Sequence, residues 1–199
     1  IADVRVWSRV RTEAEIAEDM ARRLTGREAG LLANWPLDDG TGVTVKDTSR
    51  TKRHGTLTGA TWQKSAFLHP QMGLPPSSGA KLAMAMKFDG VADYIEVPKG
   101  AALFTDKFTV AAWVKVSGGK GVYRSPLTCR GDGYTGFMFY ATDSNNWQCR
   151  IGTGSDWSFL EGPAVVEGIW AHLALVFDGE KCNFYVNGSL SKSVTAVHK

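Results

Sequence analysis

Trp170-Ala171-His172-Leu173-Ala174-Leu175-Val176-Phe177-Asp178-Gly179 and, shortly after, Cys182-Asn183-Phe184-Tyr185-Val186-Asn187-Gly188 carry the strongest structural signal in this chain. Leu173 to Phe177 is apolar at every position, which suits a strand covered on both faces. Ala171–Phe177 and Cys182–Val186 read as the two arms of a hairpin. The second arm runs into Asn187-Gly188, a dipeptide that accepts positive φ at both turn positions and so closes two-residue hairpins.

The same grammar extends upstream. Phe137-Met138-Phe139-Tyr140 is a second fully apolar run, and Gly136–Ala141 turns through residues 142–146 into Trp147–Ile151, another hairpin. Further strands fall at Leu31–Leu37, Ala83–Phe88, Tyr94–Val97 and Phe108–Val116, with a turn at residues 38–42 and a long Pro/Gly/Ser-rich surface loop over 65–80. Strands at roughly ten-residue spacing with little helix between them predict antiparallel sheets. Residues 3–8 alternate like a half-buried strand. A helix follows, with Thr12 and Glu15 as a capping box, Ile16 and Met20 on one face, and Gly26 as its stop.

Composition agrees with an all-β chain: aromatics reach 11%, with seven Trp and 22 Gly, suited to pleated strands and tight turns. A net charge of +3 implies neither nucleic acid nor membrane. The basic clusters at Arg22, Arg23 and Arg27, and at Arg50, Lys52, Arg53 and His54, read as solvated surface. No apolar run reaches the ~20 residues of a membrane span. Cys129, Cys149 and Cys182 fit no disulfide framework or zinc pattern and are expected as free thiols, with one disulfide open if the protein is secreted. The opening at Ile1 without a charged-then-apolar leader suggests a fragment of a longer protein.

Three passages, taken in order, resemble the laminin-G-like, concanavalin A-like jelly-roll family in its pentraxin-like branch. They are Met86-Lys87-Phe88-Asp89-Gly90-Val91-Ala92-Asp93-Tyr94-Ile95-Glu96-Val97-Pro98, Phe108-Thr109-Val110-Ala111-Ala112-Trp113-Val114-Lys115, and the Trp170–Gly188 hairpin. The resemblance implies a two-sheet antiparallel β-sandwich over residues 30–199, with Val110, Trp113, Phe139, Leu173, Leu175 and Tyr185 buried between the sheets. It also makes residues 1–29 look displaced. Ile1–Arg9 and the helix are similar to the family's last strand and trailing helix, whereas Leu31–Asp38 is similar to its first strand. Residues 1–29 therefore belong either to a preceding repeat or, permuted, to this domain. An open sheet edge is costly, so we expect Ala2–Trp7 to insert as a strand.

Some relatives on this fold hydrolyse glucans with carboxylates spaced as Glu-x-Asp-x-x-Glu on one strand. Here Glu96 stands alone, Glu161 and Glu167 flank a Gly-Pro loop, and Glu13, Glu15 and Glu18 line a solvated helix face. His172 reads as a packed structural residue. With no Gly-x-Ser-x-Gly, His-Glu-x-x-His or phosphate loop, the chain is expected not to be an enzyme. Tyr134, Trp147 and Trp157 lie in or beside predicted loops among Asp132, Asn145, Asn146 and Asp156. Rings with amides and carboxylates nearby suit a shallow glycan site, and equally a protein surface or a cover for the core edge. The resemblance also implies structural calcium at Asp3, Asp38 and Asp47, although Asp is common in turns for other reasons. Arg130-Gly131-Asp132 and the sequon Asn187-Gly188-Ser189 both have plain turn explanations. Two functions stay open, carbohydrate recognition and a structural or protein–protein role, each within a larger repeat-bearing protein at the cell surface or outside it.

Overall fold

A computed structural model describes residues 1–65, 83–98 and 105–195. In chain order these form β1 (Ala2–Trp7), α1 (Glu13–Met20), β2 (Leu31–Trp35), β3 (Thr44–Val45), β4 (Gly55–Thr58), β5 (Thr61–Ser65), β6 (Ala83–Lys87), β7 (Tyr94–Glu96) and β8 (Phe108–Lys115). The second half adds β9 (Arg124–Gly131), β10 (Thr135–Ala141), β11 (Asn146–Gly152), β12 (Trp157–Ala164), β13 (Trp170–Phe177), β14 (Lys181–Val186) and β15 (Ser189–Thr195). Apart from its first residue, the loop expected over 65–80 lies outside the described residues. Ser65 itself ends β5.

Two large antiparallel sheets face each other. One has six strands in the order β15-β14-β13-β8-β1-β2, and the other four in the order β12-β11-β10-β9. Small sheets β3-β4-β7 and β5-β6 flank them. The fold class is thus the β-sandwich jelly roll expected from the sequence. Between the sheets lie Val110, Ala112 and Val114 of β8, Leu173 and Leu175 of β13, Phe184 of β14, Phe139 of β10, and Trp147, Cys149 and Ile151 of β11. The turn after β14 has Asn187 at φ 53° and Gly188 at φ 81°, the double positive φ that the Asn-Gly pair supplies.

β1 is hydrogen-bonded between β2 and β8 of the same chain. Its alternation sends Val4 and Val6 into the main core and Trp7 to the opposite face. That outer face is covered by α1 and the segment after it. Ile16 and Leu24 pack there on Trp7, Leu31, Ala111, Ala174, Val176 and Tyr185. This corrects one expectation: Trp113 and Tyr185 are buried, but under the helical segment rather than between the sheets. Trp113 joins Ala2, Ala85 and Met20, and its indole N–H donates to Met20 O. The double-sided burial of β13 has the same cause, since Leu173 and Leu175 face the core while Ala174 and Val176 face the helical cover. The Thr12/Glu15 capping box forms. The helix ends at Met20, well before Gly26, whose positive φ serves a tight approach to the backbone of Thr48.

Candidate functional site

Alternation on the four-stranded sheet sorts its side chains into core and outer face. Phe139, Ala141, Trp147, Cys149, Ile151 and Leu160 point inward. Strand register then arranges the outward side chains in rows. Arg130, Gly136, Gly152 and Trp157 form the first row, Thr128, Met138, Arg150 and Phe159 the second, and Tyr140, Gln148 and Glu161 the third.

Arg150 is the centre of this face. Its guanidinium carbon lies 4.7 Å from the Tyr140 ring centroid, 4.9 Å from that of Phe159 and 5.0 Å from that of Tyr123. Its Nε donates to Gln148 Oε1 at 2.6 Å, and the Gln148 amide donates in turn to Glu161. Tyr123 meets Tyr140 edge-on at 5.3 Å. Met138 and Gln148 are buried beneath these groups, whereas Tyr123 and Phe159 are each 48% exposed. The result is a firm polar-aromatic platform with accessible rings.

A second aromatic pair extends it at the turn end. Tyr134 and Trp157 meet edge-on at 6.1 Å, and the Arg130 guanidinium lies 5.9 Å from the Trp157 ring centroid. Tyr134 holds φ at 58°, a left-handed conformation that costs a bulky residue about 1–3 kcal/mol. Gly154 N–H, donating to Tyr134 O at 3.0 Å, helps to hold it there. A side chain at Gly152 would collide with that same carbonyl, so the glycine is required by the close approach. The strained turn leaves the Tyr134 ring 47% exposed.

A family model described as the concanavalin A-like lectin/glucanases superfamily, of laminin-G type, matches residues 89–199, more than half of the chain. The chain belongs to this superfamily. No curated protein sequence matches it. Among solved structures, the chain is similar to the CBM40 module of a Ruminococcus gnavus IT-sialidase bound to α2,3-sialyllactose. The identity is 17%, with 45% of this chain and 53% of that one covered and a TM-score of 0.36. The same module bound to α2,6-sialyllactose gives 17%, 45%, 54% and 0.35. The chain thus spans about half the length of those modules. An S-layer domain-containing protein of Clostridium thermocellum gives 20% identity, 84% and 73% coverage, and a TM-score of 0.46.

In this superfamily member the acidic residues of the recognised motifs build turns. Asp89 Oδ1 accepts the backbone N–H groups of Val91, Ala92 and Asp93. Asp178 Oδ1 accepts those of Glu180 and Lys181, which lower its pKa. His172 is buried edge-on to Trp113 at 5.2 Å, on the face under the helical segment.

Of the residues expected at a binding site, the structure brings Tyr134 and Trp157 together, with Asp132 in the Tyr134 turn. It separates the others. Trp147 is 2% exposed in the core, because it precedes Cys149 and Ile151 on the inward face of β11. Asn145 and Asn146 sit at the opposite end of β10 and β11. There Asn145 accepts from Arg124 and donates to Val165 O, holding the loops together. The sequence reading missed Tyr123, Tyr140, Arg150 and Phe159 on the platform. It also took Gly162-Pro163, flanked by Glu161, for a loop, yet all three residues lie in β12. Proline is tolerated there because β12 is an edge strand, as is β9, which holds Pro126.

The three aspartates expected to share calcium do not converge. Among the described residues no three His, Cys, Asp or Glu side chains form a group that could hold a metal ion. Asp3 pairs with Arg5, and Asp38 with Arg23 at 2.6 Å. Asp47 is buried in a cage of its own. It accepts from the N–H groups of Asn34, Ser49 and Arg53 and from the hydroxyls of Ser49 and Thr51. Burial raises its pKa, but these donors outweigh burial, led by Asn34 and Ser49, so the net shift is downward. A lowered pKa makes the ionised cage stabilising above the ordinary carboxylate range and progressively weaker below about pH 4. Asp47→Asn puts an NH2 among donors. It is expected to cost about 2–3 kcal/mol at neutral pH, a gap that closes in acid when the two melting curves are compared.

Proposed function

We propose that this domain is a non-catalytic recognition module that binds a glycan across the outer face of its four-stranded sheet. The observation that carries this reading is the platform itself, in which accessible rings of Tyr123, Phe159, Tyr134 and Trp157 surround a fixed Arg150–Gln148–Glu161 chain. Flat rings suit the CH faces of sugars, and the amide, carboxylate and guanidinium suit hydroxyls. Among the described residues, Glu161 is the one carboxylate that these four strands turn outward, where glycoside hydrolysis uses a pair. A place at the cell surface or outside the cell, within a larger repeat-bearing protein, fits such a role and forms part of the proposal.

The test is a glycan array on the purified domain, followed by titration of the strongest sugar. Trp157→Ala and Phe159→Ala are expected to weaken binding about tenfold each, the scale on which aromatic anchors contribute, with little change in melting temperature. Absence of any sugar binding would refute the reading. A second reading, docking of a protein, is favoured by exposed Val122, Val166 and Ile169. They lie on two loops joined by Gly168 N–H donating to Val116 O. Binding of a protein partner that is lost on Val166→Asp and Ile169→Asp, while sugars fail to bind, would support it instead.

A further inference from the structure

Resting on the glycan reading, we propose that the sugar recognised is acidic, its carboxylate seated on Arg150 and its ring on Phe159 or Tyr123. Arg150 has no counter-ion among the described residues. Its side chain makes one hydrogen bond, from Nε to Gln148, and no ion pair among the described residues. The nearest acidic group of the outward rows, Glu161, is engaged by the Gln148 amide. Among the described residues neither Nη atom of Arg150 has an acceptor, and neither is a fully buried, partnerless atom.

Three rings and one amide fix the plane of this guanidinium. An arginine held this way presents its Nη edge for bidentate pairing with a planar carboxylate, and less ordering is lost when the ligand arrives. Rings beside the charge reduce solvent competition and strengthen the attraction. Arg130, one row and two strands away on the same face, also makes no ion pair among the described residues. Its exposed cation is positioned to attract a second acidic group on a linked sugar. A neutral sugar would use the rings but leave both guanidinium groups without a partner. Arg150 would otherwise need no free Nη edge, since aromatic packing alone could be met by an uncharged side chain.

The experiment uses two acidic probes and their neutral counterparts: trigalacturonate against its methyl ester, and 3′-sialyllactose against lactose. A short oligoglutamate serves as a peptide control. Binding is followed by calorimetry at low and moderate salt. At least one acidic sugar should bind ten or more times tighter than its neutral counterpart, with the preference shrinking as salt rises. Arg150→Gln should abolish the preference, and Arg150→Lys should restore only part of it, because an ammonium lacks the two-pronged geometry. Arg130→Gln should weaken the acidic sugars by a smaller factor. The melting temperature of each variant is measured, and Arg150→Lys retains charge and length if Arg150→Gln proves unstable. Equal binding of acid and neutral partner would overturn this inference while leaving the glycan reading in place. A preference that survives Arg150→Gln, or oligoglutamate binding tighter than either acidic sugar, would overturn it as well. Failure of every sugar, on the array and in titration, would remove both.

Discussion

A chain lacking residues 1–10 is expected to lose its cooperative thermal transition. β1 is an interior strand, antiparallel to β2 on one side and β8 on the other. Its removal strips backbone partners from both neighbours and splits β2 away from the sheet. Val4 and Trp7 are 8% and 2% exposed, and burial of each contributes about 1.5–3 kcal/mol. The deletion also removes Trp7 and Val10 from the floor on which Ile16 and Leu24 rest, so the docking surface of α1 is weakened. Against a typical domain stability of about 5–15 kcal/mol, the sum of these losses leaves no folded margin. Circular dichroism on heating, with size-exclusion chromatography, checks the result. An unchanged melting curve and elution volume would mean that residues 1–10 are dispensable to the sandwich.

The alternation of residues 3–8 made this insertion legible in the sequence. The core was legible for a related reason, since runs such as Leu173–Phe177 must be covered on both faces. What covered the outer face was not, because an eight-residue amphipathic helix gives no sign of which sheet surface it will meet. Trp113 and Tyr185 were therefore placed on the wrong side of β8 and β14. The outer face of the four-stranded sheet was legible only in part. Tyr134 and Trp157 drew notice as aromatics near turns, but proximity in sequence to Trp147 and Asn145 was mistaken for proximity in space. Counting by twos along Trp147, Cys149 and Ile151 would have sent that tryptophan inward and Arg150 outward. Two edge prolines, Pro126 and Pro163, concealed β9 and β12. Their tolerance depends on strand order, which a single sequence does not state.

Arg5→Ala is expected to destabilise the domain by about 3–5 kcal/mol, the range for removing one partner of a buried ion pair. Arg5 is 1% exposed. It pairs with Asp3, and donates to the backbone carbonyls of Asp19 and, at 2.7 Å, Arg22. Those two carbonyls lie at the C-terminal end of α1 and just beyond it, where helix acceptors lack intrahelical partners. Asp19 completes the web through Arg11 and Arg22. A helix of eight residues is marginal by itself, and Ile16 is its one buried apolar anchor. The guanidinium therefore fixes α1 to β1, and its loss takes the cation from its ion pair with Asp3 and one donor from each carbonyl. Arg5→Lys should recover little, since one ammonium cannot reach carboxylate and two carbonyls in the same geometry. Arg5→Met with Asp3→Ala should lie closer to the wild type than Arg5→Ala, because it removes the buried carboxylate together with its paired cation. Urea denaturation measures the three stabilities, and limited proteolysis within residues 12–26 reports whether α1 has detached. A cost under about 1 kcal/mol for Arg5→Ala, with α1 still protected, would show that apolar packing alone holds the helix on the sheet.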